Sequence, residues 1–173
     1  MKRKVISPLI LTLVSVIVCA LLVIANALTK DKIIAAQKQK SMQTLSETFG
    51  EADYKQLDME ISGIDAVYQG GEKTIFELTA DGYAKSGLHI LVGFENDKVC
   101  GIGFLDVGET PGLGTKVRDN KSFAEQFLSA SDDTYDFEVI TGATYSSKGM
   151  KNAVDTAINV YNEYIKGGKN EQY

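Results

Sequence analysis

Residues 88–107 read LHILVGFENDKVCGIGFLDV, and the fold class follows from how that stretch is read. Leu88, Ile90, Val92 and Phe94 alternate with His89, Leu91 and Gly93, the period of two that sends successive side chains to opposite faces of a strand. Asn96-Asp97 tolerates the backbone of a tight turn. Val99–Val107 then reads as the returning strand, so the stretch predicts a β-hairpin. Gly101 and Gly103 within that second strand predict a bulge or a close approach of another part of the chain.

Upstream, Ile64–Tyr68 and Thr74–Leu78 are short strand candidates on either side of a Gly70-Gly71 turn, and Asp81-Gly82 marks another turn. Residues 53–63 carry no decisive pattern. Downstream, Ser122–Ala130 predicts a short helix and Tyr135–Ile140 a strand. A final helix is expected from about Ser147 to Lys166, with Met150, Val154, Ala157, Ile158, Tyr161 and Ile165 on one face and Gly167-Gly168 as its stop. Strands running together, with helices at both ends and no internal repeat, indicate an α+β domain with an antiparallel sheet rather than a doubly wound one.

The N-terminal side is of a different kind. Val5–Thr29 is 25 residues without a charge, which as a helix would span roughly 37 Å against a hydrocarbon core of about 30 Å. Ala25-Asn26-Ala27 offers a leader-type cleavage site. The apolar run nevertheless exceeds the roughly 7–15 residues of a signal-peptide core, so a retained single membrane helix is expected. Lys2, Arg3 and Lys4 precede it, which places the N-terminus in the cytoplasm and the rest of the chain outside it. Lys30–Phe49 continues as a helix, with Ile33, Ile34, Met42, Leu45 and Phe49 near one face and Gly50 as its end. The expected division is a stub and anchor at 1–29, a helical connector at 30–50 and an extracytoplasmic domain at 51–173.

Composition closes off several classes of function. The 173 residues are 44% hydrophobic and 24% charged, too apolar for a disordered chain and too charged for a polytopic membrane protein. Beyond residue 29 there are 15 basic against 23 acidic residues, a balance of −8, which argues against nucleic-acid binding. One His and two Cys cannot close a four-ligand zinc site, and no metal site is expected.

Two segments depart from ordinary strand and helix patterning. In GETPGLGTKV, residues 108–117, Pro111-Gly112 is the pair a type II turn requires, and Gly114 removes a further Cβ. Such a loop is either a plain turn or a surface that lies flat against a planar ligand. ITGATYSS, residues 140–147, joins the expected strand to the last helix. Ser146 or Ser147 there would serve as a simple helix cap. The free N–H groups and positive dipole end of the same helix would equally seat a phosphate, with Lys148 adding charge. Small neighbours would leave a threonine hydroxyl open to a modifying enzyme. Of the remaining polar residues, His89 reads as exposed or structural and Cys100 as a small buried hydrophobe. Asp132-Asp133 reads as a solvated loop.

Thr141-Gly142-Ala143-Thr144 and Glu109-Thr110-Pro111-Gly112-Leu113-Gly114 together resemble the two hallmark motifs of covalently flavinylated FMN-binding domains. Behind one membrane helix, the chain resembles the G subunit of Rnf-type electron transport complexes. The resemblance implies covalent FMN, joined by a phosphoester to Thr144 by a separate flavin transferase that uses FAD. It further implies a cofactor site drawn from Thr141, Gly142, Ala143, Thr144, Tyr145, Ser146, Glu109, Thr110, Gly112, Leu113 and Gly114, with Thr110 and Lys116 as candidate donors to the flavin. Tyr145 reads equally as a packing residue. The family's motif commonly has Asp three residues before its first Ser/Thr; here Glu138 stands there. The implied role is electron transfer among the membrane subunits of a ferredoxin- and NAD-linked ion-translocating complex, with no catalytic residues of its own. The equivalent subunit of a Na+-translocating NADH:quinone reductase, and a cofactor-free tethered binding or assembly domain, are the competing readings.

Overall fold

A computed structural model describes residues 2–132 and 134–167. Asp133 and Gly168, assigned above to a loop and to a helix stop, lie outside the described residues. The chain divides into two compact units, residues 1–40 and 41–173.

The first unit is helix. It forms most of α1 (Lys2–Phe49), and Ile10–Phe49 contains a stretch long and apolar enough to cross a membrane. Leu11, Leu21, Leu22, Val23 and Leu28 are all at least 60% exposed. A continuous apolar sleeve of this kind needs lipid or protein around it.

The second unit begins with the last turns of α1. Gly50 closes that helix at φ +89°, its N–H bonding the Ser46 carbonyl at 3.1 Å. This is the left-handed C-terminal position that glycine occupies without strain. Five strands follow: β1 (Lys55–Leu57), β2 (Ala66–Gly70), β3 (Lys73–Ala80), β4 (Leu88–Glu95) and β5 (Lys98–Val107). They pair in chain order and all antiparallel. The expected hairpin is β4–β5, with Asn96 and Asp97 at φ +53° and +61°, the mirror-image turn whose twist suits flanking strands. β2 and β3 join across Gly71-Glu72.

Both faces of the sheet are covered. Phe76, Leu78, Leu88, Ile90, Val92 and Phe94 pack on α4 (Thr144–Val160) through Met150, Ala153, Val154, Ala157 and Ile158. α4 runs on into a wider π-helical segment, Tyr161–Lys166. There Tyr161 stacks on Phe94 at 4.4 Å and donates to Asp97 in the hairpin turn at 3.0 Å. The opposite face carries Tyr68, Ile75, Leu91 and Leu105 against Leu45 and Phe49 of α1. A side chain at Gly93 or Gly101 would collide with the Phe49 ring, so these glycines mark a close approach. The β4–β5 register slips twice, leaving Cys100 and Leu105 as the extra residues; the expected bulge is therefore present as well. Cys100 is half-buried against the Phe49 cluster.

Three expectations are corrected. The helix anticipated over Ser122–Ala130 is shorter: α3 covers Lys121–Glu125, set off from α2 (Lys116–Asp119) by the extended Asn120, and residues 126–129 form a turn in which Ser129 reaches φ +68°. Tyr135–Ile140 joins no strand ladder. Tyr135, Phe137 and Ile140 do pack on the core, but the backbone N–H groups of Glu138 and Ile140 go to side chains, Gln126 Oε1 at 2.7 Å and Ser147 Oγ at 3.1 Å. Finally, α4 starts at Thr144, before either serine, with Ala143 at the cap and no side-chain cap bond. Both serines face inward and are buried.

Candidate functional site

The two unusual segments meet. A cleft of about 410 Å³ is lined by Tyr83, Glu109, Thr110, Leu113, Gly114, Gly142, Ala143, Thr144, Tyr145 and Ser146. Its volume falls within the range of small-molecule and cofactor sites. Thr141 faces a neighbouring, more open cleft of about 720 Å³ with Phe123, Gln126 and Glu138. Gly112 lines neither and instead makes the turn.

The turn has the expected form. Gly112 sits at φ +75° and the Leu113 N–H returns to the Thr110 carbonyl at 3.2 Å, the pattern of a type II turn with Pro at its second position. Thr115 Oγ1 accepts the Gly112 N–H at 3.0 Å. The result sets Leu113 on the cleft wall, 50% exposed.

The TGAT segment is shaped residue by residue. Gly142 is at φ +82°, a conformation a Cβ would strain. Ala143 is buried, 4% exposed. Thr144 follows as the first residue of α4 and is exposed. No side chain caps this helix, and the first-turn N–H groups at 144–146 have no carbonyl within the helix to bond. Lys116 Nζ reaches the Thr141 carbonyl at 3.5 Å, bringing a cation beside the same turn. Lys148 is exposed on α4.

Glu109 plays a part that its place in the motif does not reveal. It is 5% exposed. Its carboxylate accepts the Ser146 hydroxyl at 2.7 Å and the N–H groups of Tyr83 and Ala84 at 3.3 and 3.2 Å. A Cβ at Gly82, Gly87 or Gly114 would collide with it. One buried carboxylate thus joins the β3–β4 loop, the β5–α2 loop and α4. Gly149, where a Cβ would strike the Asp81 carbonyl, lets α4 approach the same loop. Tyr83 and Tyr145 form the rim, 74% and 70% exposed, with rings 6.2 Å apart edge to face. The sequence reading missed Tyr83 and the 82–87 loop. The available signal was two glycines, Gly82 and Gly87, bracketing a tyrosine between strong strands.

On the far side of the sheet, His89 is half-buried and bonds Glu77 at 2.9 Å, the structural role expected of it. Tyr68 donates to the other Glu77 oxygen at 2.8 Å. Among the described residues no cluster of three or more His, Cys, Asp or Glu could hold a metal ion.

These features suit a phosphorylated planar ligand. Leu113, Tyr83, Tyr145 and the bare Gly114 backbone offer flat apolar walls. The helix N-terminus and Lys116 offer positive charge for a phosphate. Comparison with known proteins agrees. Residues 82–159 match the FMN-binding domain, a span that takes in every residue lining the cleft. The chain is 25% identical to the G subunit of the ion-translocating oxidoreductase complex of Aliivibrio fischeri (strain MJ11), with 90% of this chain and 89% of that protein aligned. It is 36% identical to the subunit of the same name from Escherichia coli (strain K12), over 48% of this chain and 47% of that one. Residues 82–159 thus match the FMN-binding domain, in a chain that also has one long apolar helix, and along most of its length the chain is similar to G subunits of ion-translocating oxidoreductase complexes.

Proposed function

We propose that this chain is the membrane-anchored electron-transfer subunit of an ion-translocating ferredoxin:NAD oxidoreductase, and that it holds FMN as a phosphoester on Thr144 Oγ1. The observation that carries the reading is the placement of Thr144: an exposed hydroxyl at the first position of an uncapped helix, opening onto the cleft. In the attachment step the Thr144 oxygen attacks the flavin-side phosphorus of FAD. The P–O bond to the bridging oxygen breaks, AMP leaves, and the hydroxyl proton passes to solvent. A separate flavin transferase is required, since the residues lining the cleft present no base beside Thr144: the one carboxylate among them, Glu109, is occupied by three donors.

When bound, the flavin supplies one- and two-electron transfer, which side chains do not perform. The chain's own residues hold and shield it. N–H groups at the start of α4, with Lys116, would balance the remaining phosphate charge. Leu113, Tyr83 and Tyr145 would cover ring faces, and Thr110, on the cleft wall, would donate or accept at a polar edge.

Anchoring by one helix fits a subunit that works among membrane partners. Lys2, Arg3 and Lys4 set its N-terminus in the cytoplasm and the flavin domain outside, where a covalent bond prevents loss of the cofactor. The ion path is assigned to partner subunits, because Val5–Thr29 carries no charged residue.

The test is the full chain produced with a flavin transferase and run on a denaturing gel under ultraviolet light. A fluorescent band is expected, lost in Thr144→Val and weakened but retained in Thr141→Val. A bright Thr144→Val band would reject the assignment of that residue. A dark wild-type band would favour a cofactor-free binding or assembly domain.

A further inference from the structure

Residues 135–140 lead into Thr141–Thr144 without belonging to any sheet. On one side the segment is anchored by packing: the Phe137 ring lies 5.9 Å from Phe123 and 5.8 Å from Phe127, and the Tyr135 ring 5.6 Å from Phe127. Its downstream end is tied by Ile140 N–H to Ser147 Oγ at 3.1 Å and by Ala143 N–H to the Ile140 carbonyl at 2.9 Å. Between these anchors the backbone of Glu138 is held at both of its polar groups by one side chain. Its N–H donates to Gln126 Oε1 at 2.7 Å, and its carbonyl accepts from Gln126 Nε2 at 3.4 Å.

A primary amide is the one kind of side chain that offers a donor and an acceptor in the geometry of a peptide group. Gln126 therefore does for Glu138 what a neighbouring strand would do. It reaches across from the end of α3, beside the open cleft that Thr141 and Glu138 also line. The side chains of Asp136, Glu138, Val139 and Thr141 stay exposed. The stretch is thus rigid on the protein side and bare on the other.

We propose that Gln126 is a positioning residue for the modification of Thr144, bracing residues 136–140 so that the acceptor segment meets the flavin transferase already ordered. The proposal rests on the reading of Thr144 as the attachment site, with the bond changes given above. An acceptor that must be ordered on docking binds its enzyme more weakly, while the transfer step, once docked, is unchanged. The effect of losing Gln126 accordingly falls on KM for the chain and not on kcat.

The experiment uses unmodified full chain in detergent, with FAD and a flavin transferase, reading initial rates from in-gel fluorescence against chain concentration. Gln126→Leu keeps the bulk and removes both bonds. It should raise KM roughly three- to tenfold, the worth of one or two ordinary hydrogen bonds, with kcat within about twofold. Gln126→Glu keeps an acceptor for the Glu138 N–H and should lie between. Hydrogen exchange at the Glu138 amide should quicken in the same order. A wild-type KM in Gln126→Leu, or unchanged exchange at Glu138, overturns the proposal. A wild-type chain that takes no label overturns the Thr144 reading itself, an outcome separate from labelled wild type with an unmoved variant.

Discussion

The Ser146 hydroxyl donates to the Glu109 carboxylate at 2.7 Å, across 37 residues of sequence and with both groups buried. Glu109 also takes two backbone N–H groups from the 83–84 loop, so three chain segments that wall the cleft converge on one side chain. Glu109→Gln keeps the size, but either orientation of its amide sets the nitrogen against a backbone N–H, that of Tyr83 or that of Ala84. We expect a loss of about 1–3 kcal/mol of stability, measured by urea unfolding of the globular unit, together with loss of flavin labelling. Ser146→Ala, which removes one bond and no charge, should show a smaller loss of each. Equal stability of Glu109→Gln and wild type would mean that the carboxylate is not a tie.

Gly142 supports a second prediction. At φ +82° it occupies a region that costs an L-residue about 1–2 kcal/mol. The space around it is open, its nearest neighbours being Leu113 and Lys116 at 3.9 Å. Gly142→Ala is therefore a conformational change without a clash. It should lower stability by about that amount and turn Thr144 away from the cleft, so that labelling falls more steeply than stability. Labelling at the wild-type rate would show that the left-handed turn does not aim the hydroxyl.

How far the sequence discloses this arrangement depends on the period of each element. The β4–β5 hairpin and α4 are legible because Leu88, Ile90, Val92 and Phe94, and Met150, Val154, Ala157 and Ile158, follow unbroken periods of 2 and 3.6. Tyr135–Ile140 starts with the same apolar alternation and still makes no strand: the phase breaks at Val139, which is exposed while Ile140 packs on the core, and no neighbouring strand takes the place beside it. Gln126 fills that place, and nothing local in the sequence announces it. The site divides similarly. The Pro111-Gly112 turn is legible from short-range chemistry, whereas Thr144 is singled out only by the resemblance of Thr141–Thr144 to a family motif. The inward course of Glu109, the Tyr83 rim and the inward-facing Ser146 depend on contacts 25 or more residues apart.

The Glu77–His89 pair, on the face opposite α4, makes stability depend on pH in a definite sense. Burial alone would raise the Glu77 carboxyl, but the hydrogen bonds from His89 and Tyr68 outweigh it and hold the group below its usual 4.5. The bond to Glu77 raises His89 above its usual 6.5 against the opposing effect of burial. A raised histidine stabilises fully below its unfolded value and loses that contribution as pH rises through its folded one. A depressed carboxylate stabilises above its unfolded value and loses that as pH falls through its folded one. Both contributions are therefore present together between about 4.5 and 6.5. Urea midpoints measured from about pH 5.5 to 8.5, across the range in which histidines titrate, should fall with rising pH in wild type. His89→Gln should flatten that limb, and an unchanged slope would reject the pair as its source.

Phe49, in the last turn of α1, lies over Gly93 and Gly101 so closely that a methyl at Gly93 would collide with its ring. Phe49 is 5% exposed, so Phe49→Ala should cost about 3–5 kcal/mol by opening a cavity. Gly93→Ala should cost about 1–3 kcal/mol by overpacking. The two changes act on one volume. In Phe49→Ala the ring that excluded the methyl is gone, and the methyl fills part of the space left. The double variant should therefore be more stable than the sum of the single losses implies, by on the order of 1 kcal/mol in a double-mutant cycle. Losses that simply add would show that the end of α1 does not rest on the sheet through this contact.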